Sequence, residues 1–367
     1  MKKNNIVSVY WNSNLAGRLT LLPNRLAAFE YDIDFIKTGI SISPFYLPLK
    51  QGVFTARQEP FNGLFGVFND SLPDGWGTLL TNRMLAEKGY NIAQISVLDR
   101  LCLVGNNGIG ALSYRPEWSI EEDSIIEDYN IIAQEVEKVL KYDKYDNLSE
   151  LYKMGGSSGG ARPKIFAKYN NEDWIIKFKA LIDPVNVGEI EYDYSITAKE
   201  CGIEMSATKL FEGKYFGTKR FDIGDNYKIH THSASGLLYA SYRLPSLDYF
   251  DLMKATFVIT NDINEVYKLF RLMVFNILTE NRDDHAKNFS FICQDNKWKL
   301  SPAYDLVKGY GFNGQHTTTV LGKGNPQRKD IIELANNLNL KKNKIETIYN
   351  EIYEKTRELR RRYLMHK

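Results

Sequence analysis

The chain has 367 residues, 43% of them hydrophobic and 25% charged, with a formal net charge of only +2. That length exceeds what one hydrophobic core usually organises, so two domains are expected, and the near-neutral balance offers no electrostatic case for broad binding to nucleic acid or a membrane surface. Three widely spaced cysteines, Cys102, Cys201 and Cys293, suit reduced thiols better than disulfides or a zinc site, and no window is long and apolar enough for a membrane span, so a soluble cytoplasmic protein is expected.

In chain order, residues 5–115 read as mainly β with a helical insert. Short, partly alternating runs at Ile6–Trp11, Gly17–Leu22 and Ala27–Tyr31, separated by Asn, Gly and Pro, predict a small antiparallel sheet. A helix is predicted from Leu72-Pro73-Asp74-Gly75-Trp76 to about Glu87, a second over Asn91–Leu103, and a strand over Ile109–Tyr114 after the Asn106-Asn107-Gly108 turn. None of these elements carries an obvious catalytic group, and Trp76 and Phe68 read as core. Residues 119–145 turn acidic and then basic, as in an interdomain connection with one amphipathic helix over Ile125–Leu140.

The second domain opens on Gly155-Gly156-Ser157-Ser158-Gly159-Gly160-Ala161-Arg162-Pro163-Lys164. Glycines accept the positive φ values that turn backbone amides toward an anion, although a glycine-serine linker has the same composition. Context favours the anion loop. A hairpin follows, Ile165–Tyr169 and Trp174–Phe178 around Asn170-Asn171, with Lys177 inside an apolar strand, where a phosphate would offset its desolvation. Glu191, on the helix predicted over Glu189–Cys201, is placed either to pair with Lys177 as in kinases or to complement the helix dipole. His230 and His232 alternate without a Cys or carboxylate cluster to complete a metal site and read as hydrogen-bonded histidines.

Helices over Asp248–Thr256 and Asn264–Leu278 lead into Asn281-Arg282-Asp283-Asp284-His285-Ala286-Lys287-Asn288. In protein kinases an Asp takes the substrate hydroxyl's proton, an Asn five positions later holds Mg²⁺, and a further Asp holds the metals from another strand. Asp283 and Asn288 have that spacing, and a hairpin over Phe289–Leu300 returns the chain to Asp305. Lys287 stands either to neutralise charge at a phosphate or in a structural ion pair. The C-terminal helix, Lys341–Lys367, ends in Arg360-Arg361-Arg362, a solvated helix end that complements the dipole, with contact to DNA or an acidic partner as the alternative.

Asp283–Ser290, Ser301-Pro302-Ala303-Tyr304-Asp305, Gly159–Lys164 and Asn69–Gly77 together resemble the HipA-type serine/threonine kinases, the toxins of bacterial toxin-antitoxin operons. The resemblance covers roughly residues 5–340. It implies an α+β chain: a small β-rich N-terminal domain (residues 1–118) on a two-lobed, protein-kinase-like domain (119–367). In the latter, the glycine loop and N-lobe lie at about 150–225 and a helical C-lobe at about 226–367. It implies ATP and Mg²⁺ as cofactors, Asp283 as catalytic base with Lys287 beside it, and Asn288 and Asp305 as metal ligands. Gly159, Gly160, Lys164, Lys177 and Glu191 are then nucleotide-binding, and Ser157 is the inhibitory autophosphorylation site. It further implies a protein substrate in translation, such as an aminoacyl-tRNA synthetase, and a helix-turn-helix antitoxin of HipB type through which DNA is contacted only indirectly. Asp305 is followed by Leu306-Val307, so a switch built on the Phe-Gly of protein kinases is not expected. A small-molecule kinase of the aminoglycoside or choline type, and a weakly catalytic corepressor or scaffold, remain as alternatives.

Overall fold

The computed structural model describes residues 5–118 and 126–364, so the acidic run Glu121-Glu122-Asp123, the expected helix start at Ile125 and the last three residues lie outside the described residues. Two compact units emerge: residues 1–189 with 207–231, and residues 190–206 with 232–367. This division leaves the glycine loop and its sheet in the same unit as the N-terminal domain.

The first unit begins with β1 (Ile6–Trp11), β2 (Asn14–Leu21), β3 (Ala27–Tyr31) and β4 (Val53–Thr55), joined by β5 (Leu112–Arg115) in an antiparallel sheet of order β4-β3-β2-β1-β5. Alternation in β1 puts Val7 and Val9 in the core, where they join buried Leu19, Phe29 and Phe68. The insert holds α1 (Gly75–Glu87) and α2 (Val97–Val104). The single helix expected over Asn91–Leu103 is broken: one 3₁₀ turn at Ile92–Gln94 ends, and Ser96 starts α2 afresh with a capping box to Asp99. β5 starts only at Leu112, because the chain turns at Gly110 with φ +80°.

After the undescribed stretch come α3 (Tyr129–Lys141) and α4 (Leu148–Gly155). β6 (Lys164–Tyr169), β7 (Glu172–Lys177), β8 (Thr208–Phe211) and β9 (Tyr215–Lys219) then form a sheet of order β6-β7-β9-β8, with α5 (Val187–Glu200) inserted in sequence. Asn170 and Asn171 both have positive φ, the geometry of a two-residue hairpin turn that matches strand twist. Trp76, Leu80 and Met84 of α1 share one core with Val136 and Leu151 and with Ile165 and Ile176 of the sheet. Each such side chain contributes about 1.5–3 kcal/mol by leaving water. His230 is buried within this unit, its Nε2 hydrogen-bonded to the Ile42 carbonyl at 2.8 Å, a core role.

The second unit is built on α6 (Tyr249–Thr260) and α7 (Ile263–Leu278), capped by Asp248 and Asp262. The stripe Val266, Leu269, Phe270, Met273 and Phe275 is buried, which fixes α7 as the central helix. A hairpin, β10 (Ser290–Gln294) and β11 (Lys297–Leu300), follows, with Asp295 and Asn296 at positive φ in its turn. The chain closes with α8 (Arg328–Asn337), α9 (Lys342–Lys355) and α10 (Arg357–Tyr363). The long terminal helix expected from Lys341 is thus two helices divided at Thr356, whose buried hydroxyl donates to the Ile352 carbonyl at 2.7 Å. All three cysteines are free and buried; burial pushes Cys201 up to about 12 and Cys293 up to about 11, so neither is a reactive thiol. Among the described residues no helix is long and apolar enough to cross a membrane.

Candidate active site

In the second unit, α7 delivers the chain into Glu280–Asn288, and a buried polar chain fixes that stretch. Asn281 donates from Nδ2 to Asn276 Oδ1 (3.1 Å), Asn276 donates to the Tyr249 hydroxyl (3.1 Å), and that hydroxyl donates to Asp284 Oδ2 (2.8 Å). Asp284, fully buried, also receives His316 Nδ1 at 3.0 Å and the backbone amides of Thr317 and Thr318 at 2.9 and 3.2 Å. A buried carboxylate needs such donors to offset its lost hydration. Burial, with the Asp284 charge adding to it, holds the Tyr249 hydroxyl well above the usual tyrosine range, so it stays protonated and donating.

Asp283 is the opposite of its neighbour: its side chain is exposed. Its backbone is pinned by Gly309, where a Cβ would lie 2.8 Å from Asp283 Cβ, and the Gly309 amide donates to the Glu280 carbonyl at 3.1 Å. Asn288 donates from Nδ2 to the Asp283 carbonyl at 2.6 Å, which leaves its Oδ1 as the atom a metal would take. The His285 ring accepts the Lys287 amide at 3.2 Å and caps the 3₁₀ turn Ala286–Asn288, while Lys287 Nζ sits 4.2 Å from the Tyr242 ring centroid. Tyr304 donates to the Lys287 carbonyl at 2.7 Å and lies 2.5 Å from Ser290 Oγ. The segment 304–309 is therefore tethered to the 280–288 stretch at both ends, and Asp305, at φ +58°, lies within it. Asp283, Lys287 and Asn288 thus share one pinned stretch, and Asp305 lies on the segment tied to it. Glu191 is buried in the same unit on α5.

Among the described residues no cluster of three or more His, Cys, Asp or Glu side chains forms a preassembled metal cage. An Asn oxygen and one carboxylate nonetheless fit Mg²⁺, which keeps waters and completes its shell with substrate phosphates.

The first unit holds the glycine loop between α4 and β6. Ser157 donates to the Asn107 carbonyl at 2.8 Å; the buried Ser158 donates to the Gly155 carbonyl at 2.6 Å; Gly160 turns at φ +88°. At the foot of the loop, Lys164 and Lys177 are direct cross-strand partners in the β6–β7 register. Like charges facing each other across a ladder repel, so the pair concentrates positive charge at the foot of the loop. Lys164 is the more buried of the two, at 8% exposure, and its Nζ lies where a Cβ on Gly160 would go. Arg162 clasps Asp183 at 3.0–3.2 Å.

Two residues that sequence reading left out of the site belong to its frame. Trp76, a core residue as expected, also donates from its ring to the Lys164 carbonyl at 3.1 Å and from its amide to the Gly160 carbonyl at 3.2 Å. Asp74 accepts the Gly160 amide through Oδ1. The signal was present in the Asn69–Gly77 motif, but a contact across 86 positions is not readable from spacing.

Residues 7–115 match the HipA N-terminal domain, and residues 156–359, more than half of the chain, match the HipA-like C-terminal domain. The chain belongs to the HipA family. A curated relative, the Sinorhizobium fredii protein named "Putative kinase Y4mE", is 37% identical over 75 residues, 20% of this chain and 17% of that protein, so the match spans under a fifth of the relative's length. Among solved structures, the HipA of Shewanella oneidensis, determined with HipB and operator DNA, superposes over 94% of this chain and 88% of its own at a TM-score of 0.70 and 17% identity. That agreement establishes the HipA fold, a β-rich N-terminal part followed by the mixed α/β part, for nearly the whole chain. The Helicobacter pylori proinflammatory kinase CtkA overlaps 54% of this chain and 90% of its own with 17% identity and a TM-score of 0.37, too loose a likeness to carry an argument.

Proposed function

We propose that this HipA family member is an ATP- and Mg²⁺-dependent serine/threonine protein kinase. The observation that carries the reading is the facing pair Lys164 and Lys177 at the foot of the glycine loop, a concentration of positive charge suited to the phosphates of a nucleotide. The exposed Asp283, carried on a stretch fixed by the buried Asp284, supplies the second half of the chemistry.

In this reading Lys164, Lys177 and the loop amides around Gly159 and Gly160 hold the nucleotide phosphates, and Glu191 is assigned to nucleotide binding as the helix carboxylate of kinases. Asp283 accepts the proton of a Ser or Thr hydroxyl as its oxygen bonds to the γ-phosphorus and the β–γ bridging oxygen leaves with ADP. Asn288 and Asp305 would hold Mg²⁺, which would supply charge neutralisation at the phosphates. Lys287, next to Asn288, adds a positive charge beside the reacting centre. Ser157, half-buried on the loop itself, is the proposed autophosphorylation site. The Shewanella oneidensis HipA was determined with HipB and operator DNA. We extend that partner class to this chain: a helix-turn-helix antitoxin of HipB type, with DNA contacted through it. A protein of the translation apparatus is the proposed acceptor and the cytoplasm the proposed compartment.

Incubation with Mg-ATP and a whole lysate that retains its small molecules tests the reading. Phosphate on protein hydroxyls is expected, with one addition on Ser157 by intact mass and peptide mapping. Transfer only to metabolites, or none at all, would overturn it.

A further inference from the structure

Asp74 occupies the N-cap position of α1 with extended backbone (φ −120°, ψ −172°), where an Asp ordinarily accepts an amide of its own helix. It makes no such bond. Its carboxylate instead accepts the Gly160 amide in the glycine loop, while the second amide of the helix, Trp76, donates to the Gly160 carbonyl at 3.2 Å. The exchange is reciprocal: the loop satisfies a helix donor that would otherwise lack a partner, and the helix cap satisfies the loop's donor.

The two backbones meet without side chains between them. A Cβ on Gly75 would lie 2.5 Å from Ala161 Cα and 2.6 Å from the Gly160 carbonyl oxygen, and one on Gly77 would lie 2.5 Å from the Ser158 carbonyl oxygen. Thr81 adds a hydroxyl bond to the Gly156 carbonyl at 3.3 Å. Gly160, at a positive φ that leaves it many alternatives, thus has both its amide and its carbonyl held from α1.

We infer that Asp74 is a positioning residue for nucleotide binding: from the N-terminal domain, its carboxylate fixes the Gly160 peptide so that the loop stands ready over Lys164. The inference rests on the kinase reading above. A charge-assisted bond to an amide is about twice as strong as a neutral one, which accounts for Asp at a position where Ser or Asn would cap a helix equally well.

The test compares Asp74→Ala, Asp74→Asn and, as a structural control in the same domain, Ser96→Ala, which removes the capping box of α2. Full-length proteins are measured by steady-state kinetics in Mg-ATP and by hydrogen exchange over residues 155–163 without nucleotide. Asp74→Ala should raise the KM for ATP about tenfold with the acceptor KM within about twofold, and speed exchange in the loop. Asp74→Asn, whose amide oxygen still accepts, should recover part of both, and Ser96→Ala should lower Tm while moving neither. Unchanged loop exchange and ATP KM in Asp74→Ala would overturn the inference, as would a lowered KM, which would make Asp74 a competitor of phosphate. A wild type that binds no ATP would fail the kinase reading by itself, whereas an unmoved loop in Asp74→Ala fails only this one.

Discussion

Two regions of the molecule, one in each unit, are held by different means. The stretch Glu280–Asn288, proposed as catalytic, rests on a fully buried carboxylate, Asp284, whose donors are Tyr249, His316 and two amides. The glycine loop rests on bonds nearer the surface: Ser157 on Asn107, Gly160 on Asp74, and glycine backbones laid against α1. Low dielectric makes the first arrangement strong when complete and costly when broken, while the second can be undone one bond at a time. The glycine loop, proposed to admit nucleotide and to be modified, belongs to the second kind.

The contrast can be broken most severely at Asp284. Asp284→Ala leaves a buried hydroxyl, an imidazole and two amides without their acceptor and should destabilise the protein by about 3–5 kcal/mol, read as a large fall in the denaturation midpoint. A shift under about 1 kcal/mol would mean the network is not what holds the stretch. Gly77→Ala forces a Cβ against the Ser158 carbonyl; it should cost about 1–3 kcal/mol and weaken ATP binding more than its loss of stability explains. Ser157→Ala should cost about 0.5–1.5 kcal/mol at most, since it removes one half-buried hydrogen bond, and it should abolish the mass increase in Mg-ATP.

The smallest effect sharpens the same comparison through pH. The loop Asn106–Gly110, which accepts the Ser157 hydroxyl, is held in turn by Arg220 and Lys228 on the Gly108 carbonyl, at 3.2 and 3.1 Å. Burial, helped by the Arg220 charge, pulls Lys228 down to about 8 from its usual 10.5. The folded state then binds fewer protons than the unfolded chain between those values, so this group's contribution to stability rises with pH across that window and falls away as pH drops through about 8. The difference in urea midpoint between wild type and Lys228→Met should follow that course; a difference flat from pH 7 to 10.5 would contradict the shift.

Much of the frame was legible in the sequence because local chemistry dictated it. Asn170-Asn171 and Asp295-Asn296 sit at the tips of the two hairpins, and both pairs adopt the positive φ that such turns need. The turn at 170–171 also sets the register that places Lys164 opposite Lys177, a consequence that the expectation of a single strand lysine stopped short of. The apolar run of α7 announced its burial, whereas the hydrogen bond from Asn288 to the Asp283 carbonyl was not part of what their spacing predicted. What else stayed hidden depends on partners far along the chain. Asp283 and Asp284 look alike in sequence, yet Tyr249, 35 positions before, and His316, 32 positions after, bury one and leave the other to solvent. Likewise the N-terminal domain, which showed no catalytic group, reaches the glycine loop through Asp74.

The central claim is phosphoryl transfer with Asp283 as the proton acceptor, and the direct measurement is transfer of γ-phosphate from Mg-ATP to protein by wild type and Asp283→Asn side by side, with ATP affinity measured on both. Asp283→Asn should fold and bind ATP as the wild type does, with turnover lower by about 10²–10⁴-fold. Turnover undiminished in Asp283→Asn would contradict the account.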